Sequence, residues 1–129
     1  MKITDYFSED ADGIQFSRQQ SSDFAKQVAD DFNPIHNPDS KRFCMPGDLL
    51  FAVVLYRYGL CEHMHFNFSG LLSDGISLRF PETGASDVSI TDRNGKEYLN
   101  FSRSGECSTE PELIRNLTQS YVAFSGHNF

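Results

Sequence analysis

The chain has 129 residues, with 39% hydrophobic and 22% charged content, which fits one folded domain able to bury a core and excludes a disordered chain. Its formal net charge is −7, and eleven Lys and Arg against eighteen Asp and Glu disfavour a nucleic-acid or anionic-membrane partner. Twelve Phe and no Trp point to a Phe-rich core.

Residues 1–8 lack the apolar run of a signal peptide, and no segment approaches the ~18 apolar residues that a membrane span needs. The three cysteines, Cys44, Cys61 and Cys107, are odd in number and widely spaced. They do not suggest a disulfide framework, and a cytoplasmic location follows as the expectation.

In chain order, residues 1–13 are polar and acidic and end on the turn signal Asp12-Gly13. Ile14-Gln15-Phe16 alternates and reads as a short strand. Ser17-Arg18-Gln19-Gln20 has the spacing of a capping box, so a helix is expected from Ser17 to about Asp30. Phe24, Val28 and Phe32, with Ala25 and Ala29 beside them, form its apolar stripe. Residues 32–39 hold two prolines and two asparagines and cannot be regular helix. Leu49 to Leu60 is apolar almost all round until Arg57, which describes a buried helix, and Gly59 is placed to end it.

The remainder reads as antiparallel sheet, with strands expected at 64–68, 75–80, 87–91 and 96–103. Ile76, Leu78 and Phe80 alternate with Ser77 and Arg79, which buries one face. Asn94-Gly95 between two such runs predicts a hairpin with a type I′ turn. Glu110-Pro111-Glu112 opens a last helix over 113–124, with Leu113, Ile114, Leu117, Tyr121 and Phe124 at helical spacing.

The run Asp31-Phe32-Asn33-Pro34-Ile35-His36 carries the chemistry. It resembles the catalytic loop of the MaoC-like, (R)-specific enoyl-thioester hydratases, whose pattern is an acidic residue, any residue, Asn-Pro, an apolar residue and His. Pro46-Gly47 then opens the long apolar helix where that family has His-Gly. The resemblance covers residues 17–60 well and the strands only loosely. It implies a hot-dog fold of the α+β class, a curved antiparallel sheet wrapped around a central buried helix, as a single domain over 1–129. It also implies Asp31 and His36 as the catalytic pair around one water, which adds across a 2-enoyl thioester. Gly47 would supply an oxyanion-stabilising amide at a helix N-terminus, with Asn33 among the substrate-binding residues. No cofactor is implied beyond coenzyme A or an acyl-carrier thioester as the substrate's carrier, and the acidic balance disfavours a polyanion such as coenzyme A unless a local basic patch exists. The partners implied are the acyl thioester and a second copy of the chain, in a homodimer or higher homo-oligomer.

Several positions depart from the family's pattern. Pro46 stands in place of its His, and Asp48 follows Gly47 directly. Leu55 stands where the family commonly has a hydrogen-bonding Ser, Pro38 replaces an acidic residue, and the segment from His36 to Gly47 is shortened. A non-catalytic hot-dog protein that binds an acyl group or a protein partner therefore stays open as the alternative. The pattern Phe32-Asn33-Pro34-Ile35-His36, followed by Arg42-Phe43-Cys44-Met45-Pro46-Gly47-Asp48-Leu49-Leu50-Phe51, also resembles an uncharacterised family of bacterial proteins. For that family Pro46-Gly47-Asp48 would be its own variant and would leave the function open. Without any family, Asn33-Pro34 is a plain helix-ending turn with His36 hydrogen-bonded to backbone, and Asp48 a first-turn acid on the helix dipole.

His63 and His65 share one face of a strand, a spacing seen in some metal sites, yet no further ligand pattern accompanies them, so no metal is expected. Cys44 reads as a buried inert thiol. The C-terminal run Phe124-Ser125-Gly126 echoes the helix end that precedes the family's active loop, with His127 where an Asp would stand. Residues 110–129 thus read either as an ordinary amphipathic helix or as the approach to a second hot-dog.

Overall fold

The computed structural model describes residues 2–28, 36–39, 47–72 and 75–127. A 3-10 turn, Ile3–Tyr6, leads into the short strands β1 (Ser8–Asp10) and β2 (Gly13–Gln15). Helix α1 (Arg18–Gln27) and helix α2 (Gly47–Tyr58) follow, then β3 (Leu60–Phe68), β4 (Leu78–Arg79), β5 (Asp87–Asp92) and β6 (Glu97–Ser108). Helix α3 (Pro111–His127) comes last. The strands form one six-stranded sheet in the order β1-β2-β4-β5-β6-β3, and every pairing is antiparallel. The class is α+β, with the connection through α1 and α2 carrying the chain from β2, near one edge, to β3 at the other.

Local chemistry explains most element boundaries. Ser17 Oγ accepts from the Gln20 amide at 3.0 Å, and Gln20 Oε1 accepts from the Ser17 amide at 3.0 Å, so both halves of the capping box are made. Gly59 ends α2 at φ +86°, and its amide donates to Leu55 O. A Cβ there would lie 2.7 Å from Ser108 O, so the tight passage from α2 into β3 requires glycine.

The core lies between α2 and one face of the sheet. Leu49, Leu50, Ala52, Val53, Val54 and Leu55 of α2 are all buried. They sit in one cluster with Ile14, Leu78, Val88, Ile90, Leu99 and Phe101 of the strands, Leu55 excepted. Phe7, Phe16, Phe24, Phe80 and Phe101 are buried, which gives the Phe-rich interior expected from composition. Phe51 is not part of the buried set, contrary to the apolar pattern. It is partly exposed on the flank of α2, with ring centroids 5.0 Å from both Phe66 and Tyr121.

Three expectations need correction. The first concerns the cysteines: Cys61 and Cys107 form a disulfide between β3 and β6. Forty-six residues separate them in sequence, but the antiparallel register places them directly opposite each other. Spacing along the chain carries no information about cross-strand register, and with the disulfide in place the cysteines no longer argue for a reducing compartment. Second, the hairpin between β5 and β6 is not centred on Asn94-Gly95. The Gly95 amide donates to Asp92 O at 3.1 Å, and Gly95 has φ +86°, so Arg93-Asn94 form the centre of the turn and Gly95 provides a glycine bulge. The Asp92 carboxylate favours this longer loop by accepting from the amides of Asn94 and Lys96. Third, the polar N-terminal stretch contains β1, whose hairpin with β2 turns through Ala11-Asp12.

No helix among the described residues is long and apolar enough to cross a membrane. Replacing Leu49, which is fully buried, by Ala should lower the unfolding free energy by ~2–5 kcal/mol in denaturant titration. Thiol titration of the denatured, unreduced protein should find one reactive cysteine of three, and reduction should lower stability by ~2–4 kcal/mol. Three free thiols before reduction would contradict the cross-strand bridge.

Candidate functional site

The loop and helix start that the sequence singles out are only partly described. Asp31 and Asn33 lie outside the described residues, as do Pro34, Cys44 and Pro46. His36 opens a short turn, is 7% exposed and has an interaction partner. Just beyond it, Pro38 O accepts from Arg18 Nη1 at 3.1 Å. That bond fastens the segment after His36 to the first residue of α1. A buried His36 with a partner fits both the catalytic loop and a plain helix-ending turn whose His is hydrogen-bonded to backbone.

Gly47 is the first residue of α2 and Asp48 lies in its first turn. The side that a Cβ of Gly47 would occupy faces the Phe68 ring, at 3.5 Å from Cε1 and 3.7 Å from Cδ1. An acyl group approaching the Gly47 backbone from that side would meet the aromatic edge. Phe68 ends β3 and is 52% exposed, so its ring can be displaced with little loss of packing. Asp48 has a partner and is therefore not a bare carboxylate aimed at this end of the helix. Leu55, at the position where a site serine would stand, is 1% exposed within the interior and contributes no polar group.

At the far end of α2, Tyr58 lies between Phe80 and the Arg103 guanidinium, which sits 5.5 Å from the ring centroid. Its hydroxyl donates to Pro81 O at 2.6 Å. Arg103 also donates to Ala85 O and Thr83 O, and Arg57 pairs with Glu9 at 3.0 Å. Burial pushes the Tyr58 phenol up to about 12, against the opposing pull of Arg57 and Arg103 and with the help of Glu82. Tyr58 and Arg103 tie the 81–85 segment to α2 and β6, and Arg57 ties α2 to β1.

His63 and His65 are exposed on β3, opposite Ser104 and Ser102 of β6. No group of three or more His, Cys, Asp or Glu that could hold a metal ion occurs among the described residues. A cavity of about 340 Å³ lies between the Ile3–Tyr6 turn, α2 and the start of α3, and neither His36 nor Gly47 lines it. The sequence reading missed it, because its walls come from the two ends of the chain and the middle of α2. The one hint in the sequence was the pair of small or apolar positions, Ala52 and Ile114, on helices that have to pack together.

An α+β domain with an antiparallel sheet and a buried helix is thus the class defined by the fold. The family model described as "Protein of unknown function (DUF3581)" matches residues 1–129, and the chain belongs to that family. It is also 35% identical over 77 residues to Titin of Drosophila melanogaster, a stretch covering 60% of this chain and 0% of titin to the nearest per cent. The chain therefore spans a negligible part of titin's length. No solved structure matches the chain.

The raised pKa of Tyr58 has a definite pH consequence. Its phenol holds the proton more tightly in the folded state, so its contribution is complete below the ordinary value of 10 and is lost as pH rises towards about 12. Stability should fall over that window in alkaline denaturation. Tyr58→Phe should make the fall shallower, and an unchanged slope would separate the phenol from the alkaline transition.

Proposed function

We propose that the chain is a hot-dog protein of the MaoC-like type that acts on acyl thioesters, adding water to a 2-enoyl thioester with Asp31 and His36 as the acid–base pair. The observation that carries this reading is the topology. After the first hairpin and α1, helix α2 leads to the strand at the opposite edge of an antiparallel sheet and is buried against that sheet, and the remaining strands fill the space between. A sheet packed over one apolar helix is the arrangement implied by the resemblance of the loop motif.

In this mechanism His36 and Asp31 share one water, removing a proton as its oxygen attacks and returning a proton to the α-carbon. The first amides of α2, beginning with Gly47, stabilise the thioester oxygen as it gains charge, because the helix dipole is positive there. Coenzyme A or an acyl carrier protein would deliver the acyl group. The other reading, a non-catalytic acyl- or partner-binding protein, is favoured by one specific observation: Leu55 lies in the interior where a polar site residue would be needed.

Turnover of crotonyl-coenzyme A, followed by loss of the enoyl-thioester absorbance, separates the two. A hydratase should turn it over, with Asp31→Asn and His36→Ala each slowing catalysis by ~10²-fold or more while circular dichroism stays unchanged. Full activity in His36→Ala would eliminate the assigned chemistry, and no turnover of thioesters of any chain length would favour the binding protein.

We also propose a homodimer. β3 is a nine-residue strand at the edge of the sheet with β6 on one side only, and an open edge of that length leaves backbone groups that a second copy can pair. Light scattering at micromolar concentration should give twice the mass of 14.6 kDa. A clean monomer would contradict the assembly.

A further inference from the structure

The cavity beside α3 has a charge character opposite to that of the molecule. Its lining residues include Lys2 and Arg115 and no carboxylate, in a chain whose net charge is −7. Ile3, Ala52 and Ile114 make its body apolar, and Thr4, Thr109 and Tyr56 stand around them. Ala52 and Ile114 are buried, whereas Lys2, Thr4, Arg115 and half of Tyr56 are exposed. The hollow is therefore apolar at its floor and cationic at its solvent side. Neither Lys2 nor Arg115 forms an ion pair with a described residue.

The nearby helix end does not account for this charge pattern. The Glu110 carboxylate already accepts from the amides of Glu112 and Leu113, at 3.2 and 2.7 Å, so the first turn of α3 is capped by the chain itself. Thr118, also on the lining, has a hydroxyl without a partner and is 1% exposed. An unpaired buried hydroxyl is costly, and Thr118 shares this state with Ser21 and Ser22 of α1.

We propose that this cavity binds a small carboxylate with an apolar body, of the size of a medium-chain fatty acid. The volume of about 340 Å³ falls at the lower end of small-molecule sites, which run from ~300 to 1,000 Å³. The apolar body lies against Ile3, Ala52 and Ile114, where its burial supplies most of the affinity. The carboxylate stays at the mouth, where Arg115 and Lys2 neutralise it without being stripped of water. Anionic ligands of this kind are otherwise repelled by the acidic surface, so the two cations select as well as hold. The site is separate from the Asp31–His36 loop and does not depend on the hydratase reading.

Octanoate is the direct probe, measured by titration calorimetry on the full chain with octanol as the neutral comparison. Octanoate should bind more tightly than octanol. The double substitution Lys2→Gln and Arg115→Gln, both on exposed side chains, should weaken octanoate by about tenfold and leave octanol unchanged. Thr4→Trp, also at an exposed position, should fill the cavity and weaken both probes. His36→Ala should bind octanoate as the wild type does, which keeps this test distinct from the catalytic one. No octanoate binding at millimolar concentration, or binding indifferent to both the charge and the filling variants, would overturn the proposal.

Discussion

The burial of α2 is the constraint on which the rest of the molecule depends. Twelve residues, Gly47–Tyr58, carry six buried apolar side chains and almost no polar face. Such a helix cannot face water, and a single sheet can cover it only if strands from both sides of the chain reach it. The core meets that demand by drawing on Ile14 before the helix and on Leu78, Val88, Ile90, Leu99 and Phe101 after it. The helix connection leads from β2 to β3 at the far edge, and β4, β5 and β6 take the places between them.

The consequences reach the ends of the helix. At its C-terminus the chain must turn at once into β3, which only Gly59 allows with Ser108 so close. That turn places Cys61 opposite Cys107, and the disulfide adds a covalent tie to an edge strand held to β6 by backbone bonds and the Asn67–Asn100 side-chain bond. On its outward flank, Phe51 bridges Phe66 of β3 and Tyr121 of α3, so the last helix rests on α2 through an aromatic contact instead of through the main core. The cavity lies on this same outer side, lined by Ala52 and Tyr56, one helical turn apart. A small residue at Ala52, under a helix held off by larger rings, leaves a hollow.

How much of this was legible in the sequence depended on whether the signal was local. The Ser17 and Gln20 capping box, the apolar α2 and the stop at Gly59 are local chemistry, and each stands where its residues indicated. The turn at Gly95 was half legible: the glycine was read, but the Asp92 carboxylate, which shifts the turn by one residue, was not. Strand β1, the Cys61–Cys107 bond and the partial exposure of Phe51 are set by what lies across the sheet or against α3, and no periodicity within the chain reports that. The candidate site divides in the same manner. The motif named Asp31, Asn33, His36 and Gly47, and of these the structure describes His36 and Gly47, the first buried and the second facing an aromatic ring.

Electrostatics links the two places where this protein could meet a ligand. With eighteen acidic residues against eleven basic ones, the surface as a whole repels anions, and a phosphate-bearing thioester carrier or a free carboxylate must find local cations. In sequence, Lys41 and Arg42 fall between His36 and Gly47, within the segment that joins the two halves of the loop motif. In space, Lys2 and Arg115 fall together at the cavity mouth although they belong to opposite ends of the chain. Two of the eleven basic residues line the cavity, and two more lie in the sequence of the loop segment. The difference lies in the chemistry beneath the charge. Under the cavity there are aliphatic side chains and an unpaired hydroxyl, which can hold a ligand but have no group to transfer a proton at neutral pH. In the loop motif the basic pair Lys41 and Arg42 shares its stretch of sequence with His36. In the proposed reading proton transfer falls to Asp31 and His36 of the loop, and binding without chemistry falls to the cavity.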